Sequence, residues 1–276
     1  GMLIIEVDSE SVDHFGTGVI YGPVMRIFDD TDGQARQGTV DHVSGTADMN
    51  LEMTSVNYYG NAMGYLVYPT DTDGKLPAVV MIHEWWGLNS NIKNMAELLA
   101  KEGYVVLAVD MYDGKVATES EQAATLASSV RDNPGPAMEN LNAAVAHLSS
   151  LPNVDSSKIS SLGWCFGGGQ SLQLALNTDK PLAATILYYG NLVTDKETIS
   201  KISWPVLGIF GSADQSIPVE TVQQFESALE ANNIAKEIYI YEGVGHAFAN
   251  PSGDNYAEKE AADAWQKTLA FLAKHT

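Results

Sequence analysis

The stretch Gly163-Trp164-Cys165-Phe166-Gly167-Gly168-Gly169 decides the fold. It follows the apolar run Ile159–Gly163 and leads into residues patterned as a helix. Its form is Gly-x-nucleophile-x-Gly, with cysteine in the position usually held by serine. The logic is steric: the nucleophile sits in a strained turn between strand and helix. Small residues two before and two after it let the backbones pass. The turn exposes the sulfur at a helix N-terminus, whose partial positive charge favours a thiolate. It also aims the Phe166 backbone N–H at the place where an oxyanion would form. A lone cysteine is more often a buried structural residue. Here the flanking glycines and the strand-before, helix-after order favour catalysis. A phosphate-binding reading of the glycines fails, because neither a G-x-G-x-x-G pattern nor a Walker lysine is present.

Working outward, short apolar runs alternate with helical patterns from about Thr54 onward. Thr54–Tyr59 and Met63–Tyr68 form a hairpin through Gly60-Asn61. Ala78–His83 has the continuous apolar character of a strand covered on both faces. Ile92, Met95, Ala96 and Leu99 recur at helical spacing, closed by Gly103. Tyr104–Val109 is the next strand. Helices follow at about Thr118–Val130 and Ala137–Leu151, with Asn133-Pro134-Gly135-Pro136 as a break between them. Ala183–Leu187, Val206–Phe210 and Glu237–Tyr241 are further strands. Pro218 opens a helix carrying Val222, Phe225 and Leu229. A closing helix carries Ala257, Ala261, Trp265, Leu269 and Leu272. This rhythm predicts an α/β domain over residues 51–276, with a mostly parallel central sheet flanked by helices on both faces. Residues 1–50, dense in Gly, Asp and Thr, read as an irregular or small β extension.

A cysteine nucleophile needs a histidine to move its proton and a carboxylate to orient that histidine. Gly211-Ser212-Ala213-Asp214 follows one predicted strand, and Gly243-Val244-Gly245-His246-Ala247-Phe248 follows the next. Asp214 alone reads as a turn residue, and His246 alone as a surface residue. Three such residues, each after its own strand and in the order nucleophile, acid, base, make coincidence improbable. His83-Glu84-Trp85-Trp86-Gly87 follows the first central strand, which assigns a second oxyanion donor to the Trp85 N–H. Glu84 beside a thiolate is electrostatically odd. A capping or solvated glutamate is the plain alternative.

The 276 residues carry 15 basic and 35 acidic side chains, a formal charge of −20. So acidic a surface repels phosphate backbones and anionic lipid heads, which argues against nucleic acid or membrane as partners. No apolar run approaches the roughly 18 residues of a membrane span. One cysteine excludes an internal disulfide and a cysteine-based metal cluster. The six histidines lack ligand spacing, so neither metal nor cofactor is expected. The apolar run in Gly1–Glu6 is too short for a signal-peptide core, which leans towards a cytoplasmic protein; an exported form with its signal removed stays open. A monomer or a small homo-oligomer fits equally.

The quoted motifs resemble those of the dienelactone hydrolase family over roughly Thr54 to His275. The resemblance implies an α/β-hydrolase fold with an eight-stranded core and a triad of Cys165, His246 and Asp214. It also implies that Glu84 pairs with the resting thiol and, on substrate binding, moves to deprotonate it. Family members that cleave dienelactone hold the substrate carboxylate with two arginines; the matching places here read Asp110-Met111-Tyr112-Asp113-Gly114-Lys115 and Asn250. Lys115 lacks the bidentate fork of arginine. The expected substrate is therefore a small neutral ester or lactone rather than dienelactone. Trp86, Tyr112, Lys115, Trp164, Tyr189 and Asn250 are its candidate contacts. A catalytically silent binding protein, or the same fold with peptidase or dehalogenase chemistry, are the alternatives.

Overall fold

The computed structural model describes residues 49–276 and, ahead of them, the backbone of two short strands, β1 (Ile5–Asp8) and β2 (Val24–Ile27), paired antiparallel. The rest of the expected extension lies outside the described residues.

From residue 49 the order is β3 (Leu51–Tyr59), β4 (Ala62–Pro69), β5 (Leu76–Ile82), α1 (Ser90–Lys101), β6 (Val105–Ala108), α2 (Ser120–Arg131), α3 (Pro134–Ser150) and β7 (Val154–Trp164). Then come α4 (Phe166–Asn177), β8 (Ala184–Tyr188), α5 (Lys196–Ile199), β9 (Val206–Gly211), α6 (Val219–Ala231), β10 (Lys236–Tyr241) and α7 (Glu258–His275). The eight strands β3–β10 form one sheet in the order β10-β9-β8-β7-β5-β6-β4-β3. Only the β3–β4 and β4–β6 pairings are antiparallel; from β6 through β5 to β10 neighbours run parallel. This is the α/β-hydrolase architecture.

Side-chain alternation builds two cores. Val79 and Met81 of β5 face α1 and α7 with Ile92, Leu99, Phe271 and Leu272. Val80 and Ile82 face the other side, with Leu141 of α3, Leu172 of α4 and Phe225 of α6. All eleven of these side chains are fully or almost fully buried, which leaves the loops at the strands' C-terminal ends as the accessible ground. Parallel strands put those loops on one edge, where ligands bind in open α/β sheets.

One element departs from expectation. Asn133-Pro134-Gly135-Pro136 does not separate two helices by a long break; α3 begins at Pro134. A proline in the first turn removes an N–H that has no intrahelical acceptor there, so the residue that breaks a helix interior suits its start. Among the described residues no helix is long and apolar enough to cross a membrane.

Candidate active site

Cys165 joins β7 to α4 at φ 55° and ψ −118°, a left-handed conformation that side chains rarely adopt. Its N–H donates to the Tyr188 carbonyl at 3.0 Å, and its own carbonyl accepts from Gly169 N–H at 3.1 Å, so sheet and helix both hold the turn. The glycines are required by contact. A Cβ at Gly163 would collide with the Gly167 carbonyl, and one at Gly167 with the carbonyls of Ile82 and His83. Tyr189 and Ala247, at φ 34° and 61°, are strained in the same sense. All three residues line the same cavity, where the surrounding fold sustains such backbone.

The other two triad candidates arrive on tied loops. Ser212 N–H donates to the Tyr241 carbonyl at 2.8 Å and Ala213 N–H to the Val244 carbonyl at 3.0 Å, which fastens the β9 loop to the β10 loop. Gly243 N–H returns a bond to Ser212 Oγ at 2.7 Å. Asn255 Nδ2 donates to the His246 carbonyl at 2.9 Å. The result is a continuous array: Asp214 Oδ2 to His246 Nδ1 at 2.8 Å, and His246 Nε2 to Cys165 Sγ at 3.1 Å. Burial opposes a charge on His246, but the Asp214 carboxylate and the Cys165 sulfur outweigh it, and its pKa rises to about 10.

The β5 loop supplies Glu84. His83 beneath it is fully buried, and burial lowers its pKa to about 4. The neutral ring donates from Nδ1 to the Glu84 carbonyl at 2.6 Å and accepts Met111 N–H at Nε2, 3.2 Å, so both ring nitrogens are occupied in structure. The Glu84 carboxylate is buried and accepts Asn250 Nδ2 at 3.0 and 3.3 Å. Burial pushes its pKa to about 7, against the bonds that favour ionisation. The expected pairing of Glu84 with the thiol is not what the structure has. Sγ is bonded to His246, and Glu84 is held by Asn250.

A cavity of about 1130 Å³ opens over Cys165. Trp85, Trp86, Phe166, Tyr189 and His246 line it. Among the described residues neither Trp85 N–H nor Phe166 N–H donates to a backbone carbonyl. Tyr189 stacks edge-on against His246 at 5.3 Å.

Four expected substrate contacts are placed differently. Tyr112 lies behind the wall: its hydroxyl donates to the Trp85 carbonyl at 3.0 Å and its ring packs on Phe166 and His83. Lys115 is exposed and outside the cavity lining, so its charge does not reach Cys165. Trp164 points to the opposite face of the sheet, where it packs against Tyr188 and borders a separate void of about 40 Å³. Asn250 does line the main cavity, but its amide is engaged with Glu84 and its Oδ1 accepts Ser252 N–H and Oγ–H, each at 2.9 Å.

Two lining residues were not anticipated from the sequence. Arg131, at the end of α2, lies over the Phe166 ring at 5.7 Å and brings the cation that Lys115 does not. Gln170 on α4 is 6% exposed, and no partner reaches its Oε1. A long amide among the small and apolar residues that open α4 was the available signal for Gln170. Arg131 had none, because the packing of α2 against α3 decides which cation meets the cavity.

The family model for the dienelactone hydrolase family matches residues 62–276. A candidate carboxymethylenebutenolidase from Saccharolobus solfataricus is 32% identical over 231 residues, covering 71% of this chain and 89% of the relative. Among solved structures, a candidate dienelactone hydrolase from Klebsiella pneumoniae has a TM-score of 0.70 at 28% identity, covering 82% of this chain and 99% of its own. P91, a dienelactone hydrolase-like promiscuous phosphotriesterase from metagenomic libraries, has a TM-score of 0.74 at 23% identity over 82% of this chain and 98% of its own, a likeness of fold.

Proposed function

Because the chain belongs to the dienelactone hydrolase family and is therefore a carboxylic ester hydrolase, we propose that it cleaves a small neutral ester or lactone through Cys165, His246 and Asp214. One observation carries this reading: an imidazole spans the buried Asp214 carboxylate and the Cys165 sulfur at the mouth of a cavity.

In this mechanism His246 Nε2 takes the thiol proton and Sγ attacks the substrate carbonyl carbon, forming the C–S bond. The carbonyl oxygen becomes an oxyanion within reach of the Trp85 and Phe166 N–H groups. As the tetrahedral species collapses, the C–O bond to the alcohol breaks and His246 delivers its proton to the leaving oxygen. Water, deprotonated by the same imidazole, then attacks the thioester; the carboxylic acid departs and the proton returns to sulfur. Asp214 keeps the imidazole in the tautomer and orientation both steps need. A neutral substrate is favoured by Lys115, which is remote, by Asn250, which is bonded to Glu84, and by the one arginine lining the cavity, Arg131, whose guanidinium lies over the Phe166 ring.

Cys165→Ala is the test. Hydrolysis of activated short-chain esters should fall by roughly 10⁴-fold or more. Activity within tenfold of the unaltered protein would exclude the sulfur as nucleophile.

A further inference from the structure

One side of the cavity is made by a single helix face. Phe166, Gly169, Gln170, Gln173 and Asn177 of α4 all line it, a stripe that begins next to the nucleophile and runs outward. The elbow and the long apolar run of α4 explain its first turn. They do not explain why the stripe then becomes amides.

Gln170 is the anomaly. Leu172, Leu174, Ala175 and Leu176 beside it are buried apolar residues, as the interior of an α/β domain requires. Gln170 is nearly as buried, yet its Oε1 has no hydrogen-bond partner, and among the described residues its amide makes no bond at all. An unmet buried amide oxygen is costly to keep, and large majorities of such groups are satisfied. Gln173, one turn further along the same wall, is likewise without a side-chain partner among the described residues. Asn191 faces this wall from the β8 exit. None of these groups is charged, and each amide can both donate and accept.

Resting on the ester-hydrolase reading, we propose that Gln170 is a specificity-determining residue whose buried amide binds a hydroxyl group on the substrate, several bonds from the scissile carbonyl. The substrate class is then a hydroxylated ester or lactone rather than a plain alkyl one. The distance follows from helix rise: at about 1.5 Å per residue, Gln170 stands roughly 7–8 Å along α4 from Cys165. That is too far to touch the reacting carbon and suited to the far end of a short chain. The hydroxyl accepts from Nε2, the amide atom that opens on the cavity, or donates to Oε1 once the amide turns about χ3 to present it. Selectivity follows, because an analogue lacking the hydroxyl covers the amide without giving it a partner.

The experiment measures binding, so that it does not depend on turnover. Titrate Cys165→Ala calorimetrically with matched short-chain esters and lactones ending in a hydroxyl or a methyl group. Repeat this with Gln170→Leu and Gln170→Glu in the same background, with circular dichroism verifying the fold of each. The hydroxylated ligand should bind at least about tenfold tighter than its methyl partner. Gln170→Leu should reduce that ratio to within about twofold, while Gln170→Glu, which keeps an acceptor, should retain part of it. Equal binding of the two series to Cys165→Ala, or an unchanged ratio in Gln170→Leu, overturns the proposal. If instead the ratio is as expected but unaltered protein hydrolyses none of these compounds, the cysteine mechanism fails and the recognition stands.

Discussion

Two buried carboxyl groups belong to one site, and their surroundings treat them in opposite ways. Asp214, at the end of β9, accepts Ser216 N–H at 2.7 Å, Ile217 N–H at 3.0 Å and His246 Nδ1 at 2.8 Å. Burial raises its pKa, but those bonds together win, and it stays below the usual carboxylate range. Glu84, at the end of β5, is buried with side-chain amides for company, Asn250 and Asn91, and there burial wins, giving a pKa of about 7. The lesson is that burial alone does not set a carboxyl's role; the supply of N–H donors does. Asp214 is held as an anion against the His246 imidazole, which suits the orienting role proposed for it. Glu84, with its pKa raised to about 7 by burial, titrates near neutrality.

The largest effect should come from removing the anion. Asp214→Asn preserves shape but lets His246 present the wrong tautomer to sulfur, and kcat should drop by roughly 10³–10⁴-fold. Steady-state kinetics on an activated ester measures it; a loss below tenfold would mean that Asp214 does not orient the base.

Next is Gly167→Ala, which acts where the elbow meets the strand that leads to Glu84. The added methyl meets the Ile82 and His83 carbonyls, backbone atoms that cannot swing aside. The elbow and the β5 loop must separate, at a cost of about 2–4 kcal/mol in stability by analogy with overpacked cores. Chemical denaturation reads this directly, and a change under 1 kcal/mol would show that the contact yields cheaply.

Glu84→Gln sharpens the contrast through pH. The Glu84 pKa is raised from 4.5 to about 7, so the folded protein binds more protons than the unfolded chain between those values. Its contribution therefore favours folding at low pH and is lost as pH rises from about 4.5 through 7. At about 1.4 kcal/mol per pH unit, the full span is on the order of 3 kcal/mol. The variant should gain stability relative to the unaltered protein by about 2–3 kcal/mol more at pH 8 than at pH 4.5. A pH-independent difference between the two melting curves would break the distinction drawn above.

How far the sequence revealed all this depends on what each residue's position is set by. Cys165, Asp214 and His246 each follow a strand, and a parallel sheet delivers the ends of its strands to one edge; their convergence was legible from order alone. The strand's alternation also shows why Trp164 is elsewhere: it shares a face with Leu162, towards α1 and α7. Lys115 against Arg131 is a different matter. Both sit near the site in sequence terms, and only the way α2 and α3 fold over the loop decides which reaches the cavity. Pro134 misled because the same missing N–H that breaks a helix interior is harmless in its first turn. Asn250 was legible as a residue near the cavity, but its partner was not, since Glu84 lies 166 residues away.

The smallest predicted effect is also the most direct probe of Glu84. Asn250 Nδ2 lies against both carboxylate oxygens, and the bonds from Ser252 to its Oδ1 fix which end of the amide faces Glu84. Asn250→Ala removes donors that favour the ionised carboxylate and leaves the burial that opposes it, so the Glu84 pKa must move further up. The pH at which stability levels off should rise accordingly in urea denaturation series. Asn250 makes no hydrogen bond to Cys165, His246 or Asp214, so kcat/KM for a plain ester should change by less than about tenfold, roughly 1.4 kcal/mol. A downward movement of that pH, or a loss as large as that of Asp214→Asn, would mean that the two carboxyls are not the separate devices their donors make them.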